Sequence, residues 1–378
     1  MKQVAIYRHQ LFKPSEPFIH QQAGCLNRFR PVYVGRELAG PPPRHAAPED
    51  CLILTRQPVR RGQVAAHVLT RHPGLYARLL AQRPVDLIHA HFAVDALYAL
   101  EVARRLDVPL ITTFHGFDVT THWGALLRSR KVSWTHYALF RRKLFRRGDR
   151  FIAVSHFIRE RAVRLGVPEE KLVTHYIGVD TEAIRPPERR PSDGFTVLHV
   201  ARLVEKKGTA YLIRAFRQVA RRFPDARLVI IGDGPLRRPL EDLAESLGVD
   251  GRVSFLGTLP HRDVLDWMGR ADVLCLPSVA ATSGDSEGLG MVLLEAAATG
   301  VPVIGTRHGG IPEAVVDEVT GFLVPEKSAA DLAERLTYLA EHPTARVRMG
   351  REARNMAVER FDLKKQTEKL ERIYDDVL

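Results

Sequence analysis

VLCLPSVAATSGDSEGLGMVLLEAAATGVPVIG, residues 273–305, is the stretch that decides the fold. A short apolar run at 273–276 is followed by a loop of small residues, an apolar helical stretch that stops at Gly300, and a second apolar run at 301–305. Short buried strands separated by a helix are typical of parallel β-sheets built from β-α-β units. The stretch therefore predicts one such unit.

The same alternation recurs on both sides of a proline-rich break at 185–194. Helical patterns such as 95–106 separate most of the further predicted strands, which are 4–7, 52–54, 86–89, 110–114 and 151–154 before the break and 196–200, 227–231 and 252–256 after it. We therefore predict an α/β protein of two doubly wound, Rossmann-like domains, residues 1–186 and 187–362, with the linker at 185–194. Ligands of such sheets bind in loops at the carboxyl ends of the strands.

The composition is that of a globular protein. Of the 378 residues, 45% are hydrophobic and 26% charged, which argues against a disordered chain, a collagen-like fibre or a coiled-coil rod. No apolar run is long enough for a transmembrane helix, and the first apolar run, at 4–7, predicts a strand rather than a signal peptide. Three cysteines without CxxC spacing predict neither a disulfide framework nor a zinc site, and favour the cytosol.

The positive charge is concentrated in the first half. Residues 1–190 hold 31 Lys and Arg against 16 Asp and Glu, whereas the remainder holds 25 against 28. The segment 128–150 alone carries nine of these cations, interleaved with Trp134, Tyr137, Phe140 and Phe145. Such a helix either lies on an anionic bilayer or packs its aromatic residues on the sheet, and the second interpretation is favoured for the aromatic residues.

One carboxylate precedes the helix within 273–305, and another lies inside it. Glu287 stands just before it, followed by Gly288, Leu289, Gly290 and Met291, and the backbone N–H groups at a helix start attract phosphate. Glu295 lies among Leu and Ala, where a carboxylate either accepts hydrogen bonds from a ribose or pairs with a core arginine. Glu287 either approaches a phosphate-bearing ligand or caps the helix.

Two further loops follow predicted strands. Arg202 and Lys207, in VARLVEKKG, either converge on a diphosphate or are solvated. His115, in FHGFD, either hydrogen-bonds a ligand or belongs to the core. The pair His89 and His91 lacks further ligands at metal spacing, and the chain has no Asp-x-Asp, so no metal site is expected.

Taken together, these residues resemble retaining glycosyltransferase family 4, whose members have the GT-B fold. The resemblance rests on Glu287 and Glu295 as an E-x7-E motif, on Arg202 and Lys207 before Gly208, on TRHGGIPE at 306–313, on FIAVS at 151–155 and on IGVD at 177–180. The segment FKPSEPFI, at 12–19, is similar to that of bacterial exopolysaccharide and colanic-acid-type members.

The resemblance implies two Rossmann-like domains facing across a cleft, with the helix 363–378 returning to the first. In the donor-binding second domain, Arg202 and Lys207 would hold the diphosphate, Glu295 the ribose and Glu287 the sugar. Backbone at Gly288, Leu289, Gly290 and Met291 would assist, and Gly257 and Leu259 would border the base. Ser15, Glu16 and His115 would lie on the acceptor side. His115, Glu287, Arg202 and Lys207 are the expected catalytic residues, with no metal, cofactor or protein nucleophile.

The expected activity is the retaining transfer of a hexose from a UDP-hexose to a lipid-linked saccharide during polysaccharide assembly. A GDP-mannose donor or a small soluble acceptor is the alternative, and a sugar-nucleotide 2-epimerase is less favoured. The chain is expected in the cytoplasm, with its basic first domain on the anionic inner membrane face. Nucleic-acid binding is suggested by charge alone, and no recognition motif supports it.

Overall fold

The structure, a computed structural model, describes residues 1–187 and 194–378. The described chain forms two compact units, which we call unit 1 (Met1–Gly178 with Leu363–Leu378) and unit 2 (Val179–Asp362). The division between them precedes the predicted one, at 186/187, by eight residues. Of the predicted linker at 185–194, residues 188–193 lie outside the described residues.

Unit 1 contains a parallel sheet in the order β5-β3-β1-β6-β7-β8-β9, and a separate parallel pair, β2 and β4. The order reverses direction at β1, so that β1 and β6 lie side by side although 80 residues separate their ends, with Ile6 opposite His89. The strands are β1 (Lys2–Tyr7), β2 (Gln10–Leu11), β3 (Phe29–Gly35), β4 (Glu37–Leu38), β5 (Cys51–Ile53), β6 (Leu87–His91), β7 (Leu110–Phe114), β8 (Arg150–Ala153) and β9 (Leu172–Thr174).

Helices cover this sheet. The helix that follows β6 is almost entirely buried, because its sequence is apolar on nearly every face. The helices are α1 (Pro17–Gly24), α2 (Arg61–Thr70), α3 (Gly74–Ala81), α4 (Ala93–Leu106), α5 (Phe117–Thr120), α6 (Trp123–Arg128), α7 (Val132–Arg147) and α8 (His156–Arg164). In α7, Tyr137 and Phe145 are buried as favoured from the sequence, whereas Phe140 is exposed.

Unit 2 repeats the architecture with the order β12-β11-β10-β13-β14-β15, which reverses at β10. Its strands are β10 (Thr196–Val200), β11 (Arg227–Ile231), β12 (Val253–Gly257), β13 (Val273–Leu276), β14 (Val303–Thr306) and β15 (Gly321–Val324). Its helices are α9 (Thr209–Arg222), α10 (Arg237–Ser246), α11 (His261–Arg270), α12 (Met291–Ala298), α13 (Ile311–Ala314), α14 (Ala329–Glu341) and α15 (Pro343–Arg360). Two doubly wound parallel sheets confirm the predicted fold class.

The last helix, α16 (Leu363–Asp375), belongs to unit 1. Its Tyr374 is fully buried, with its hydroxyl 2.7 Å from His89 Nδ1 and its ring against Phe29. Its Glu371 accepts hydrogen bonds from the backbone N–H groups of Asn27 (2.8 Å) and Arg28 (2.6 Å). These contacts join the helix to the loop before β3 and to the sheet itself.

Within residues 1–187 and 194–378, no helix combines the length and the apolar composition that crossing a bilayer requires.

Candidate functional site

The loops after β10 and β13 meet at the point where the strand order of unit 2 reverses. The Val279 N–H donates to the carbonyl of Lys206 (2.8 Å), which joins the two loops through their backbones. Gly208 has φ +65°, and a Cβ there would lie 1.9 Å from the carbonyl oxygen of Pro277. Only glycine permits this approach. The switch point of a doubly wound sheet is the usual place for a ligand.

Lys207 and Glu287 form an ion pair across this junction, with Nζ 2.5 Å from Oε2. Burial of the Glu287 carboxyl acts to raise its pKa, but the ammonium groups of Lys207 and Lys206 outweigh burial and lower that pKa to about 2. Glu287 is therefore a carboxylate at every physiological pH. The structure thus brings together two residues that the sequence analysis took from loops 80 residues apart.

The backbone of Glu287 is held from the β14 side. Its N–H donates to His308 Nε2 (3.4 Å), and its carbonyl accepts the Gly310 N–H (3.1 Å). His308 Nδ1 lies 2.9 Å from Glu326, whose other oxygen accepts the Ala280 N–H (2.8 Å). The sequence predicts no role for His308, which lies within TRHGGIPE, because Glu326 is 18 residues away and in no recognisable motif.

The helix α12 begins directly after the predicted glycine-rich segment. Gly290 precedes it with φ +82° and provides no side-chain cap for its first turn. Gly288, Leu289 and Gly290 are buried, and Met291 is half-buried. Uncapped N–H groups at a helix start carry partial positive charge and suit an anion.

Arg202 differs from Lys207 in its surroundings. It is exposed, and within the described part of the chain its guanidinium makes no ion pair or hydrogen bond. It is consequently available to an anionic ligand, whereas the charge of Lys207 is shared with Glu287.

Glu295 is paired with a histidine rather than with an arginine. Its Oε1 lies 2.8 Å from His261 Nε2, and this hydrogen bond raises the pKa of His261. His261 opens α11, two residues after Leu259, so the pair connects α12 to the segment that starts at Gly257. Leu259 is half-buried. His261 was not among the residues predicted from the sequence.

In unit 1, a buried charge cluster follows β1. Arg8 binds both carboxylate oxygens of Glu16, each at 3.0 Å, and also binds Asp95 in the first turn of α4. Burial acts to raise the pKa of Asp95, but Arg8 and His9 outweigh it and hold that pKa below its usual range. Glu16, predicted to face an acceptor, is thus already engaged by Arg8, while Ser15 is exposed.

His115 lies beside this cluster, after β7. Its Nε2 is 3.0 Å from His91 Nδ1, and its ring packs against Phe92 (4.4 Å between ring centres) and Phe18 (5.2 Å). Burial, with a further contribution from Arg8, holds the pKa of His115 well below its usual value, so the ring is neutral. A neutral imidazole can exchange hydrogen bonds with a hydroxyl but is a poor proton donor.

Asp118 fixes the backbone of the His115 loop. It accepts the N–H groups of His115 (3.2 Å), Gly116 (3.0 Å) and Ala93 (3.1 Å), and burial raises its pKa to about 6. Asp118 lies within FHGFD, but the sequence alone predicts no role for it.

The paired histidines on β6 serve separate contacts. His89 bonds Thr113 and Tyr374, each at 2.7 Å, while His91 bonds His115. Among the described residues, no group of three or more His, Cys, Asp or Glu side chains is placed to hold a metal ion.

Two family models match the chain, and together they cover most of its length. Residues 180–356 match the family described as "Glycosyl transferases group 1", and residues 27–183 match "Glycosyltransferase Family 4". A GDP-mannose-dependent mannosyltransferase of Mycolicibacterium smegmatis, which acts on phosphatidylinositol monomannoside, is 32% identical over 75% of each chain. The chain belongs to glycosyltransferase family 4. This confirms the resemblance found in the sequence.

Other family 4 relatives come from polysaccharide pathways. The putative colanic acid biosynthesis glycosyltransferase WcaL of Escherichia coli is 37% identical over 68% of this chain and 62% of its own length. The amylovoran biosynthesis glycosyltransferase AmsK of Erwinia amylovora is 29% identical over 68% of this chain and 61% of its own length. The chain thus spans about three fifths of the length of these two relatives.

Solved structures share the whole fold. HepE of Anabaena, crystallised with UDP and glucose, has a TM-score of 0.78 at 21% identity and covers 99% of both chains. Sucrose-phosphate synthase of Thermosynechococcus elongatus has a TM-score of 0.77 at 19% identity. The fold is therefore GT-B, as the family 4 resemblance implied.

Proposed function

We propose that this protein is a retaining, metal-independent hexosyltransferase that moves a hexose from a UDP-hexose to a lipid-linked saccharide during exopolysaccharide assembly. The observation that carries the proposal is the junction of unit 2, where Lys207, ionised Glu287 and the start of α12 meet beside an unpaired Arg202. The cationic side chains and the N–H groups at the start of α12 suit a diphosphate. The carboxylate of Glu287 suits the hydroxyl groups of a sugar that the diphosphate carries.

The leaving group is the nucleoside diphosphate. As the bond between the anomeric carbon and the phosphate oxygen breaks, negative charge accumulates on the diphosphate and positive charge on the sugar ring. Arg202 binds phosphate oxygens with its planar guanidinium, Lys207 adds a point charge, and the first turn of α12 adds N–H donors. These groups are in place before the bond breaks, so little reorganisation is needed.

Glu287 has a different task. It is ionised, and its backbone is fixed by His308 and Gly310, so its carboxylate has a defined position. There it accepts hydrogen bonds from donor-sugar hydroxyls. The acceptor hydroxyl attacks on the face that the diphosphate leaves, and its proton passes to the departing phosphate oxygen, so no protein nucleophile is required.

The nucleoside is held by Glu295. The carboxylate bonds His261 through one oxygen, which leaves acceptor capacity for the two hydroxyls of a ribose. The backbone of the neighbouring segment, at Gly257 and Leu259, borders the base.

Unit 1 provides the acceptor side in this proposal. Neutral His115 exchanges hydrogen bonds with a sugar hydroxyl, and Asp118 and His91 orient it. Glu16 does not contact the acceptor as a free carboxylate, because Arg8 binds both its oxygens. It acts instead by positioning the loop that carries Ser15 and Phe18.

The names of relatives support the donor and the pathway. HepE was crystallised with UDP-glucose, and WcaL and AmsK are named for exopolysaccharides. The mycobacterial mannosyltransferase uses GDP-mannose, which makes GDP-mannose the second candidate donor. The excess of basic residues in the first half favours a cytoplasmic enzyme that works at the anionic inner membrane face, where lipid-linked acceptors are displayed.

A melting-temperature panel tests the proposal, using UDP, GDP, ADP and dTDP on the wild type, Arg202→Ala and Glu295→Ala. A nucleotide at about 100 times its Kd stabilises the native state by about 2.7 kcal/mol, which gives a clear shift. We expect UDP to give the shift and both variants to lose it. Arg221→Ala, which removes an exposed arginine of α9, is the matched control and should keep it. A shift with GDP alone would select the second donor, and no shift with any nucleotide would refute the proposal.

A further inference from the structure

Two segments of unit 1 contain no acidic residue at all. Residues 51–85 carry six arginines, and residues 119–148 carry eight Lys and Arg, without a single Asp or Glu in either. Only the second of these segments overlaps the basic segment 128–150 described in the sequence. The first forms α2 and α3, and the second forms α6 and α7.

The fold brings the two segments onto one face. Tyr98 of α4 connects them, because its hydroxyl donates to the Val68 carbonyl (2.9 Å) and lies 2.9 Å from His136 Nδ1. The guanidinium of Arg71 lies over the ring of Phe140, 4.0 Å from its centre. Between α2, α3 and α7 runs an open groove of about 630 Å³, whose lining includes Arg71, Arg78 and Lys143.

This face also exposes apolar side chains. Leu69 is 62% exposed, Leu139 56%, Trp123 51% and Phe140 39%. Trp123 is nonetheless fixed, because its indole N–H donates to the Ala138 carbonyl of α7 (3.2 Å). On α7, Leu139 is three, four and seven residues from Arg142, Lys143 and Arg146, the spacings that share one helix face.

Most of the positive charge of the face has no acidic partner nearby. Glu101, which lines the groove, pairs with Lys143 and with Arg104 (3.7 Å), but Arg71, Arg78, Arg142 and Arg146 make no ion pair among the described residues. Arg142 and Arg146 are exposed on the outer side of α7. A polyanion alone would meet these cations but would offer no apolar layer to Leu69 and Leu139. A bilayer that contains anionic phospholipid offers both.

We infer that this α2–α7 face (Leu69, Arg71, Trp123, Leu139, Phe140, Arg142, Lys143 and Arg146) docks on the surface of an anionic phospholipid bilayer. The inference rests on the proposed function and adds to it the surface that would meet the membrane. The cations lie among the headgroups, with lipid phosphates entering the groove beside Arg71 and Arg78. The four apolar side chains reach the boundary of the acyl chains, where Trp is a favoured residue.

Sedimentation with vesicles tests the face. Phosphatidylcholine vesicles are compared with vesicles in which part of that lipid is replaced by phosphatidylglycerol. We expect binding to the anionic vesicles only, weakened about 25-fold by R142A/R146A, at about fivefold per basic residue. L69S/L139S should weaken it about a hundredfold, at about tenfold per leucine that enters the acyl layer.

Matched controls come from unit 2. Arg221→Ala removes an exposed arginine of α9, and Val347→Ser removes a valine of α15 that is 56% exposed, the same fraction as Leu139. Neither should change vesicle binding. Equal losses in these controls, or no binding of the wild type to anionic vesicles at low ionic strength, would overturn the inference.

Tryptophan fluorescence gives an independent measurement. The chain has Trp123, Trp134 and Trp267, so W134F/W267F leaves Trp123 as the sole reporter. Lipids brominated on their acyl chains should quench its emission in anionic vesicles. An unquenched Trp123 on bound protein would place the contact elsewhere and refute the proposed face.

The UDP melting shift, measured on every variant, separates this inference from the proposed function. If UDP still stabilises a wild type that fails to bind vesicles, the membrane inference alone fails, whereas a missing UDP shift counts against the proposed transferase whatever the vesicles do.

Discussion

At the scale of single residues, the Lys207–Glu287 pair determines the electrostatics of the unit 2 junction. Removing one member of a buried pair leaves the other charge without compensation, which costs more than the pair itself contributes. The pair therefore has a measurable effect on stability as well as on donor binding. Its neighbour, the Lys206–Asp285 pair, is more exposed and provides an internal comparison.

Glu287→Gln should remove one pH-dependent part of the stability. The pKa of Glu287 is about 2 in the folded chain against an ordinary 4.5, so the ionised carboxylate stabilises the fold fully above about pH 4.5. That stabilisation, about 3 kcal/mol by the linkage relation, is lost as pH falls from about 4.5 to 2. The unfolding free energies of the wild type and E287Q, measured with urea, should therefore converge as the pH falls through this range. A constant difference between the two free energies across the range would show that Glu287 has an ordinary pKa.

His115 and His261 should titrate differently. Burial lowers the pKa of His115 well below 6.5, whereas the hydrogen bond that His261 donates to Glu295 raises the pKa of His261. In histidine ring NMR spectra, the His115 signals should therefore stay constant as pH falls from 8 to about 6, while those of His261 shift. H115N and H261N assign the two signals. A midpoint near 6.5 for His115 would mean that the ring can become charged and would contradict its proposed neutral role.

At the scale of elements, the turn after β10 depends on glycine. Gly208→Ala would place a Cβ 1.9 Å from the Pro277 carbonyl at φ +65°, so the loops after β10 and β13 must separate. We expect a loss of more than about 2 kcal/mol in the free energy of unfolding, and loss of UDP binding. Gly251→Ala is the control, because its Cβ would meet nothing within 4 Å. Similar denaturation midpoints for the two variants would contradict this account of the turn.

The docking of α16 depends on Glu371. Its carboxylate is buried and accepts two backbone N–H groups from the loop before β3. Glu371→Ala leaves those donors unsatisfied, and we expect a loss of about 2–3 kcal/mol in unfolding free energy. Asp375→Ala removes a partner of Arg28 that is 40% exposed and should cost much less, because solvent screens that pair. The prediction fails if both variants unfold at the same denaturant concentration.

The sequence predicted the central strands better than the outer ones. β6, β7, β10, β11 and β13 are buried along most of their length, and their sequences are rich in apolar and β-branched residues. β3 was missed because Arg30 and Pro31 interrupt its apolar run, although it pairs with all six residues of β1. The short strands β9 and β15 were also missed, since runs of three or four residues carry little periodicity.

At the scale of the whole molecule, the sequence predicted the unit 2 site more completely than the unit 1 site. Arg202, Lys207, Glu287 and Glu295 stand in recognisable local patterns, and the structure brings Lys207 and Glu287 into contact. Arg8 and Asp95 form their pair across 87 residues and have no motif, so only tertiary packing reveals them. The partner of Glu295 was missed for the same reason, because His261 is 34 residues distant.

Hydrogen exchange with and without UDP tests the assignment of the donor to unit 2. We expect the largest slowing in the segments 202–208 and 277–291, where backbone N–H groups would bind or border the diphosphate. The loop 8–18 of unit 1 is the internal comparison and should slow less. The largest slowing in that loop would instead place the nucleotide on unit 1.

The position of α16 in the chain affects how the protein is made. The ribosome delivers all of unit 2, Val179–Asp362, after most of unit 1 but before the helix that buries Tyr374 against Phe29 and His89. At about 5–20 residues per second, unit 1 waits on the order of 10–40 s for that helix, with part of its apolar interior uncovered. Unit 2 is continuous in sequence and can complete its own sheet during this interval. The N-terminal half of the nascent chain is therefore the part that most needs protection by chaperones.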